Sequence, residues 1–272
     1  MNKIRRISQT VSLLFLHSSW GPQLKWFCNP VLSCHSCPLS WFACPIGVLV
    51  YFSGYRIFPL LAIGTVLFIG IILGRLFCGW ICPFGFLQDL LYKIPSKKIS
   101  LPGWTSKIKY AVLILMVFLF PFIWGEHTSL SFCRICPAAT IQVSIPALVM
   151  GTGGGFNTGK IVRFGILLLV IFFAILSSRS FCKVLCPIGA LLAPLNFLSF
   201  WKVKVPKEAC LSCAACDKAC PTDVKPSSRA TIGIPVNQAL DCVVCHDCKA
   251  SCPVSSRLKN KPAPEQCPPL NS

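Results

Sequence analysis

The chain has 272 residues, 54% of them hydrophobic and only 12% charged. Soluble domains carry about 25% charged residues, so this composition excludes an ordinary water-soluble globule. The formal charge of +18 suits a solvated basic face beside anionic lipid and calls for no nucleic acid.

The opening residues, MNKIRRISQTVSLLFLHSSW, join a basic start to a short apolar core, Val11 to Leu16. A signal peptide has the same outline, but no A-x-A-like cleavage site follows, and the stretch reads as a weak first span. Three stronger blocks follow: Arg56 to Leu76, Tyr110 to Trp124 and Ile161 to Leu176. Each approaches the roughly 20 apolar residues that cross about 30 Å of hydrocarbon. Arg56, Arg75 and Arg163 fall at or near block ends, where an ionised side chain avoids the cost of the bilayer centre.

Basic residues are unevenly shared among the connections. Lys3, Arg5 and Arg6 precede the first span. Arg75, Lys93, Lys97, Lys98, Lys107 and Lys109 lie between the second and third, and Arg179, Lys183, Lys202, Lys204 and Lys207 follow the fourth. The two other connections hold only Lys25 with Arg56, and Arg134 with Lys160. The positive-inside rule then places both termini on the cytoplasmic side of a multi-pass inner-membrane protein.

Cysteine motifs punctuate these spans. Phe77-Cys78-Gly79-Trp80-Ile81-Cys82-Pro83-Phe84-Gly85 returns as Phe181-Cys182-Lys183-Val184-Leu185-Cys186-Pro187-Ile188-Gly189, and both follow a span on the inner side. On the outer side, Cys34-x2-Cys37-Pro and Cys133-x2-Cys136-Pro form a second pair. The membrane part therefore reads as a duplicated two-helix unit of the parallel-repeat kind. Two units packed about an axis along the membrane normal would bring Cys78 and Cys82 to Cys182 and Cys186, and Cys34 and Cys37 to Cys133 and Cys136. Each quartet has enough thiols for a metal or a further iron–sulfur cluster. Proline suits the first position of a helix, and helix N-termini stabilise thiolates. Packing or outer-side disulfides are the competing uses of such thiols. Cys28 and Cys44 have no counterpart in the second repeat, although Cys44-Pro45-Ile46-Gly47 echoes the CPxG ending and can replace Cys37 as a ligand; Cys267 is spare.

The polar last third carries the firmest motif. Cys210-x2-Cys213-x2-Cys216-x3-Cys220-Pro is followed by Cys242-x2-Cys245-x2-Cys248-x3-Cys252-Pro, the bacterial ferredoxin spacing twice over. In two-cluster ferredoxins the fourth cysteine of each run serves the other cluster. The expected ligand sets are thus Cys210, Cys213, Cys216 and Cys252 for one [4Fe–4S] cluster, and Cys242, Cys245, Cys248 and Cys220 for the second. Disulfides need an oxidising compartment, zinc has no use for the third cysteine or the Cys-Pro ending, and the CxxCH match at Cys242–His246 is absorbed by the ferredoxin run.

FCGWICPFGFLQDLLYKIP, FCRICPAAT, FCKVLCPIGALL and the double ferredoxin tail together resemble the membrane-bound 4Fe–4S polyferredoxins, over Cys34 to Cys252. Relatives in that family include the NapH-type membrane ferredoxin of periplasmic nitrate reduction and the C-terminal part of the nitrous-oxide reductase regulator. The resemblance implies four transmembrane helices, cytoplasmic clusters, and electron transfer involving the quinone pool and a redox enzyme. No flavin-binding domain is recognisable.

The expected fold is an all-α membrane protein: four transmembrane helices in residues 1–200, a small α+β two-cluster ferredoxin domain in 201–262, and a tail at 263–272. The expected function is electron relay between quinone or a cytoplasmic donor and a partner reductase, as the electron-transfer component of a quinol dehydrogenase-like system. A copper reductase or assembly factor for an oxidase, and a redox-sensing anchor without turnover, are the alternatives. His17, His35, His127 and His246 are too scattered for a membrane haem. Glu126-His127 reads as a solvated helix end, Asp89 as a cap or a partner of Lys93, and GTGGGFNTG at 151–159 as a flexible connection.

Overall fold

In a computed structural model, which describes residues 3–16, 44–125, 128–149, 151, 158–203 and 213–252, four helices begin the same way. Cys44, Cys82, Cys136 and Cys186 each sit in extended backbone immediately before a helix whose first residue is proline. Proline's fixed φ fits the helix start, where its missing N–H is not needed. The described elements in chain order are α1 (Lys3–Leu16), α2 (Pro45–Gly54), α3 (Leu60–Leu73), α4 (Leu76–Trp80), α5 (Pro83–Leu91), α6 (Gly103–Trp124), α7 (Phe132–Ile135), α8 (137–149), α9 (Thr158–Leu176), α10 (Ser180–Val184) and α11 (Pro187–Leu198). The C-terminal module adds α12 (Ala215–Lys218), α13 (Pro226–Ile232) and α14 (Asp247–Ala250). Among the described residues there is no β-strand; the described part of the C-terminal module consists of short helices and turns, and the α+β arrangement expected of it is not seen there.

Among the described residues two helices are long and apolar enough to cross a membrane: α6 with 22 residues and α9 with 19. At 1.5 Å per residue, α9 is about 28 Å long. Its inner stripe, Leu167, Val170 and Ala174, is buried, while Ile161, Leu168, Leu169 and Phe172 stand exposed. Such an apolar outer face fits hydrocarbon and not water. In α6, Pro121 lacks an N–H and would crowd the preceding turn; the chain takes the wider π register over Leu113–Leu119 just before it, a recognised way for a helix to absorb a lost bond. The expected second span is shorter than its apolar block, because α3 starts only at Leu60 and Arg56 lies outside it.

The weak first span differs from its expectation in a more informative way. Along α1, Ile4, Ile7, Val11 and Leu14 are exposed, whereas Arg5 and Gln9 are fully buried. Its polar stripe faces the protein and its apolar stripe faces outward, with Arg5, Gln9 and Ser12 bonded to backbone carbonyls of Gly79 and Ile81. Nor are the basic residues simply a solvated face: Arg5, Arg75, Lys109, Arg179 and Lys183 are all buried.

The two repeats cross-brace each other. Arg75 and Arg179 each stand three residues before the first cysteine of a CxxxCP motif. Arg179 lies over Gly85 of the first motif, and Arg75 lies over Gly189 of the second; a Cβ at these glycines would sit 3.5 and 2.9 Å from the guanidinium nitrogens. This reciprocal exchange is the contact that a two-fold relation between units requires, as the duplication predicts. Phe84 and Phe181 meet edge to face on the same seam, 4.9 Å between centroids, within the main apolar core.

Candidate functional site: two cysteine centres joined at Gly79

Seven of the eight ferredoxin cysteines are described: Cys213, Cys216, Cys220, Cys242, Cys245, Cys248 and Cys252; Cys210 lies outside the described residues. Cys220, Cys242, Cys245 and Cys248 line one small cavity together with Val203, Val236 and Val244. The fourth cysteine of the first run is therefore brought to the second run, across the packing of α12 on α14. Ala214, Val244 and His246 adopt left-handed backbone conformations, with φ of 53°, 52° and 60°. Such turns point successive N–H groups into a concavity that suits anions and iron–sulfur sites. Here backbone N–H groups of Val244, Asp247 and Lys249 are bonded to the sulfurs of Cys242, Cys245 and Cys248. Burial pushes the thiol of Cys242 up to about 11 and that of Cys245 to about 12. A metal bound there would take these thiols as thiolates, since the thiolate is the ligand.

A second cavity, about 290 Å³, lies between the membrane repeats. Cys78, Cys82, Cys182 and Cys186 line it, and so do Cys44, Cys133 and Cys136. The inner and outer sets, expected on opposite sides, border one space. Cys44 does have a counterpart: it caps α2 as Cys136 caps α8, and the two lie in electrostatic range of each other. Cys34 and Cys37 lie outside the described residues, as do Cys28, Cys267, His17, His35, Glu126 and His127. Within the inner set, Cys186 senses Cys182, Cys78 and Cys82, and Gln88 donates to the sulfur of Cys182 at 3.3 Å. Among the described residues no three Cys, His, Asp or Glu side chains converge as ligands of a single metal ion. A four-iron cluster makes a different demand, one cysteine for each iron, so its thiols stand apart around a larger body.

The ferredoxin module docks directly on the first membrane motif. A Cβ at Gly79 would collide with the carbonyl oxygen of Val243, so only glycine lets the loop between Cys242 and Cys245 come this close. The second repeat has Lys183 at the matching position, bonded to the carbonyl of Leu101 at 2.8 Å. Trp80 donates its indole N–H to Val244 at 3.1 Å, Asn196 donates to the carbonyl of Cys242 at 2.8 Å, and Arg75 to that of Leu240 at 2.7 Å. Asp241 accepts from Ser106 and Lys109, at 2.6 and 2.5 Å. Its carboxyl sits below the usual range because those bonds outweigh burial, which alone would raise it. His246 accepts the indole N–H of Trp201 at 2.9 Å and stands edge-on to Trp80, a packing and hydrogen-bonding role.

Asp89 neither caps a helix nor pairs with Lys93. It is buried and receives both Arg5 and Arg179. Arg5, Gly79, Arg75, Arg179, Gln88 and Asn196 were all missed by motif reading; the one available signal was arginine recurring three residues before each CxxxCP. In the 151–159 stretch, Thr158 and Gly159 open α9, and residues 152–157 lie outside the described residues.

A family model described as a 4Fe-4S binding domain matches residues 55–102 and 161–206. Those segments hold the two CxxxCP motifs and not the ferredoxin runs. An uncharacterized protein of Methanocaldococcus jannaschii is 30% identical over 69% of this chain and 73% of its own length. A putative electron transport protein, YccM, of Escherichia coli is 25% identical over 70% of this chain and 52% of its own, and the ferredoxin-type protein NapH of Haemophilus influenzae is 30% identical over 57% and 50%. The chain thus spans about half the length of the latter two. No solved structure matches. Double ferredoxin motif, duplicated CxxxCP unit and these relatives agree: the chain belongs to the membrane-bound 4Fe–4S polyferredoxin family.

Proposed function

We propose that this ferredoxin-type protein is a membrane-anchored electron relay between the quinone pool or a cytoplasmic donor and a partner redox enzyme. Four spans, with both termini and the ferredoxin domain of residues 201–262 on the cytoplasmic side of the inner membrane, are the topology that serves it. The single observation that carries the reading is the seating of the Cys242–Cys245 loop on Gly79, between the two cysteines of the first membrane motif.

Cys210, Cys213, Cys216 and Cys252 would hold one [4Fe–4S] cluster, and Cys242, Cys245, Cys248 and Cys220 the other. Bound there, the clusters supply one-electron carriers. The chain's own residues do the rest. Backbone N–H groups of the left-handed turns stabilise the thiolates, valines 203, 236 and 244 exclude water from the second set, and Trp80, Asn196 and Arg75 hold that set against the membrane motif. The order first set, second set, membrane thiols follows from which loop is docked.

The test is iron, sulfide and spin quantitation on anaerobically purified protein, followed by rapid mixing with a reduced quinol analogue. About eight irons or more per chain, with signals that respond to the quinol or to a low-potential donor, support the relay. Clusters that respond to neither would overturn it.

A further inference from the structure

Three cysteines stand apart from the ferredoxin runs and from the CxxxCP motifs. Cys44, Cys133 and Cys136 lie outside both segments that the family model matches, yet they border the same cavity as Cys78, Cys82, Cys182 and Cys186. Cys133 and Cys136 are three residues apart on α7, a single helical turn over Phe132–Ile135. Cα atoms so spaced on a helical turn are about 5 Å apart, inside the range of about 4.4–6.8 Å that a disulfide spans. The two thiols are placed differently. Cys133 is half-buried, near the exposed Leu130 and next to the exposed Arg134, and offers a way in from outside the chain. The sulfur of Cys136 accepts from backbone N–H groups of Ala138 and Ala139 at the start of α8, with Cys44 in electrostatic range. Such N–H groups stabilise a thiolate and make its sulfur the better leaving group.

We propose, resting on the electron-relay reading, that Cys133 and Cys136 form a dithiol–disulfide centre that hands the relay's electrons to a disulfide of a partner protein on the outer side of the membrane. The topology that serves the relay puts this rim of the cavity where disulfides persist. The step is thiol–disulfide exchange. The Cys133 thiolate attacks the partner's S–S bond, which forms a mixed disulfide and releases one partner thiolate. The Cys136 thiolate then attacks the Cys133 sulfur, which closes the Cys133–Cys136 bond and releases the second. Each partner thiolate takes up the proton that the attacking cysteine gave up. Two electrons and two protons reopen the Cys133–Cys136 bond; the electrons come singly from the reduced tail clusters and the protons from water. The net change is one partner disulfide reduced to two thiols against two one-electron cluster oxidations. The inner thiols and this pair line one space, so the pair is the relay's next station. Arg134 puts a cation in the same turn, which favours the thiolate.

The test is a peptide map, because trypsin cuts after Arg134 and leaves Cys133 and Cys136 on separate peptides, 110–134 and 135–160. Full-length protein, purified anaerobically in detergent, is oxidised with glutathione disulfide, freed of it, and then given reduced methyl viologen as the low-potential donor. Thiols are blocked with iodoacetamide before digestion. After oxidation the two peptides should be joined in nearly every chain, and after the donor they should be separate and alkylated. Cys245→Ser removes a ligand of the tail route, so the join should form but open about tenfold more slowly. The remaining tail EPR signal shows that the module is folded, and Cys213→Ser serves if it is not. Cys136→Ser should hold glutathione on Cys133 as a stable mixed disulfide, with iron content and both tail signals unchanged. Free thiols after oxidation, iron lost from Cys136→Ser, or opening that neither tail variant slows overturns the dithiol centre while the relay stands. Tail clusters that the donor fails to reduce in the wild type would sink the relay reading itself.

Discussion

Arg5 and Asp247, 242 residues apart in the chain, form a buried ion pair. The same guanidinium also reaches Asp89 and the carbonyl of Gly79. One side chain from the N-terminal helix thus ties the helix after the first membrane motif to the residue before Cys248. Because α1 turns its polar stripe inward, it acts as a clamp over the junction where the ferredoxin module meets the membrane repeats.

Breaking that clamp should be costly. Removing one partner of a buried ion pair leaves the other charge unmatched, at about 3–5 kcal/mol. Asp89→Asn strands Arg179 and leaves Arg5 with Asp247 alone, and should lower stability by about that much. Thermal unfolding in detergent, with protease sensitivity of the ferredoxin module as a second readout, checks it; unchanged unfolding would remove Asp89 from the docking account.

The same carboxylate sets a pH dependence. Burial would raise its pKa, but Arg179 and then Arg5 hold it below the usual range. A depressed carboxylate contributes its stability above the unfolded value of about 3.9 and loses it as pH falls through the lower folded value. The stability gap between wild type and Asp89→Asn should therefore be level from neutral pH down to about 4 and close below it. A gap that closes near neutrality would contradict this sign.

Gly79 is where the loop of the second cysteine run meets the membrane motif. Gly79→Leu overfills that contact, with a cost of about 1–3 kcal/mol, and lifts the loop away. Iron content should stay at the wild-type level while electron exchange between the tail clusters and quinol slows. Equal loss of both would mean the glycine serves folding alone.

Cys220 belongs to the first run in sequence and to the second set in space. Cys220→Ser should consequently disturb the same EPR signal as Cys245→Ser and leave that altered by Cys213→Ser untouched. If Cys220→Ser and Cys213→Ser affect one common signal, the crossed ligand assignment is wrong.

The CxxCH match offers a further check. His246 sits in the left-handed region and accepts from Trp201, so His246→Asn, a residue that tolerates that conformation, should keep the full iron content. It should lose only about 0.5–1.5 kcal/mol, one hydrogen bond's worth. Covalent haem on the wild-type protein, seen by its absorption after denaturation, would reverse this reading.

What was legible in the sequence is what depends on neighbours along the chain. Ligand spacing in a ferredoxin run is local, because a short turn must wrap the cluster, and so eight candidate ligands could be listed before any fold was known. The Cys-Pro helix starts, the apolar blocks of α6 and α9, and the duplicated unit are local or periodic in the same way. The amphipathic character of α1 was present too, but its pattern reads as a solvated basic start until a partner such as Asp247 is seen.

Charge pairing, close approach and cavity sharing depend on residues far apart. Only the tertiary structure decided that Arg5 is buried, that Asp89 receives two arginines and not Lys93, that Gly79 is a docking point, and that Cys44 joins Cys133 and Cys136 beside the inner quartet. The physical reason is one of range. Local backbone preferences and cluster-binding turns are set within a few residues, whereas burying a charge is tolerable only when its partner arrives from another part of the chain.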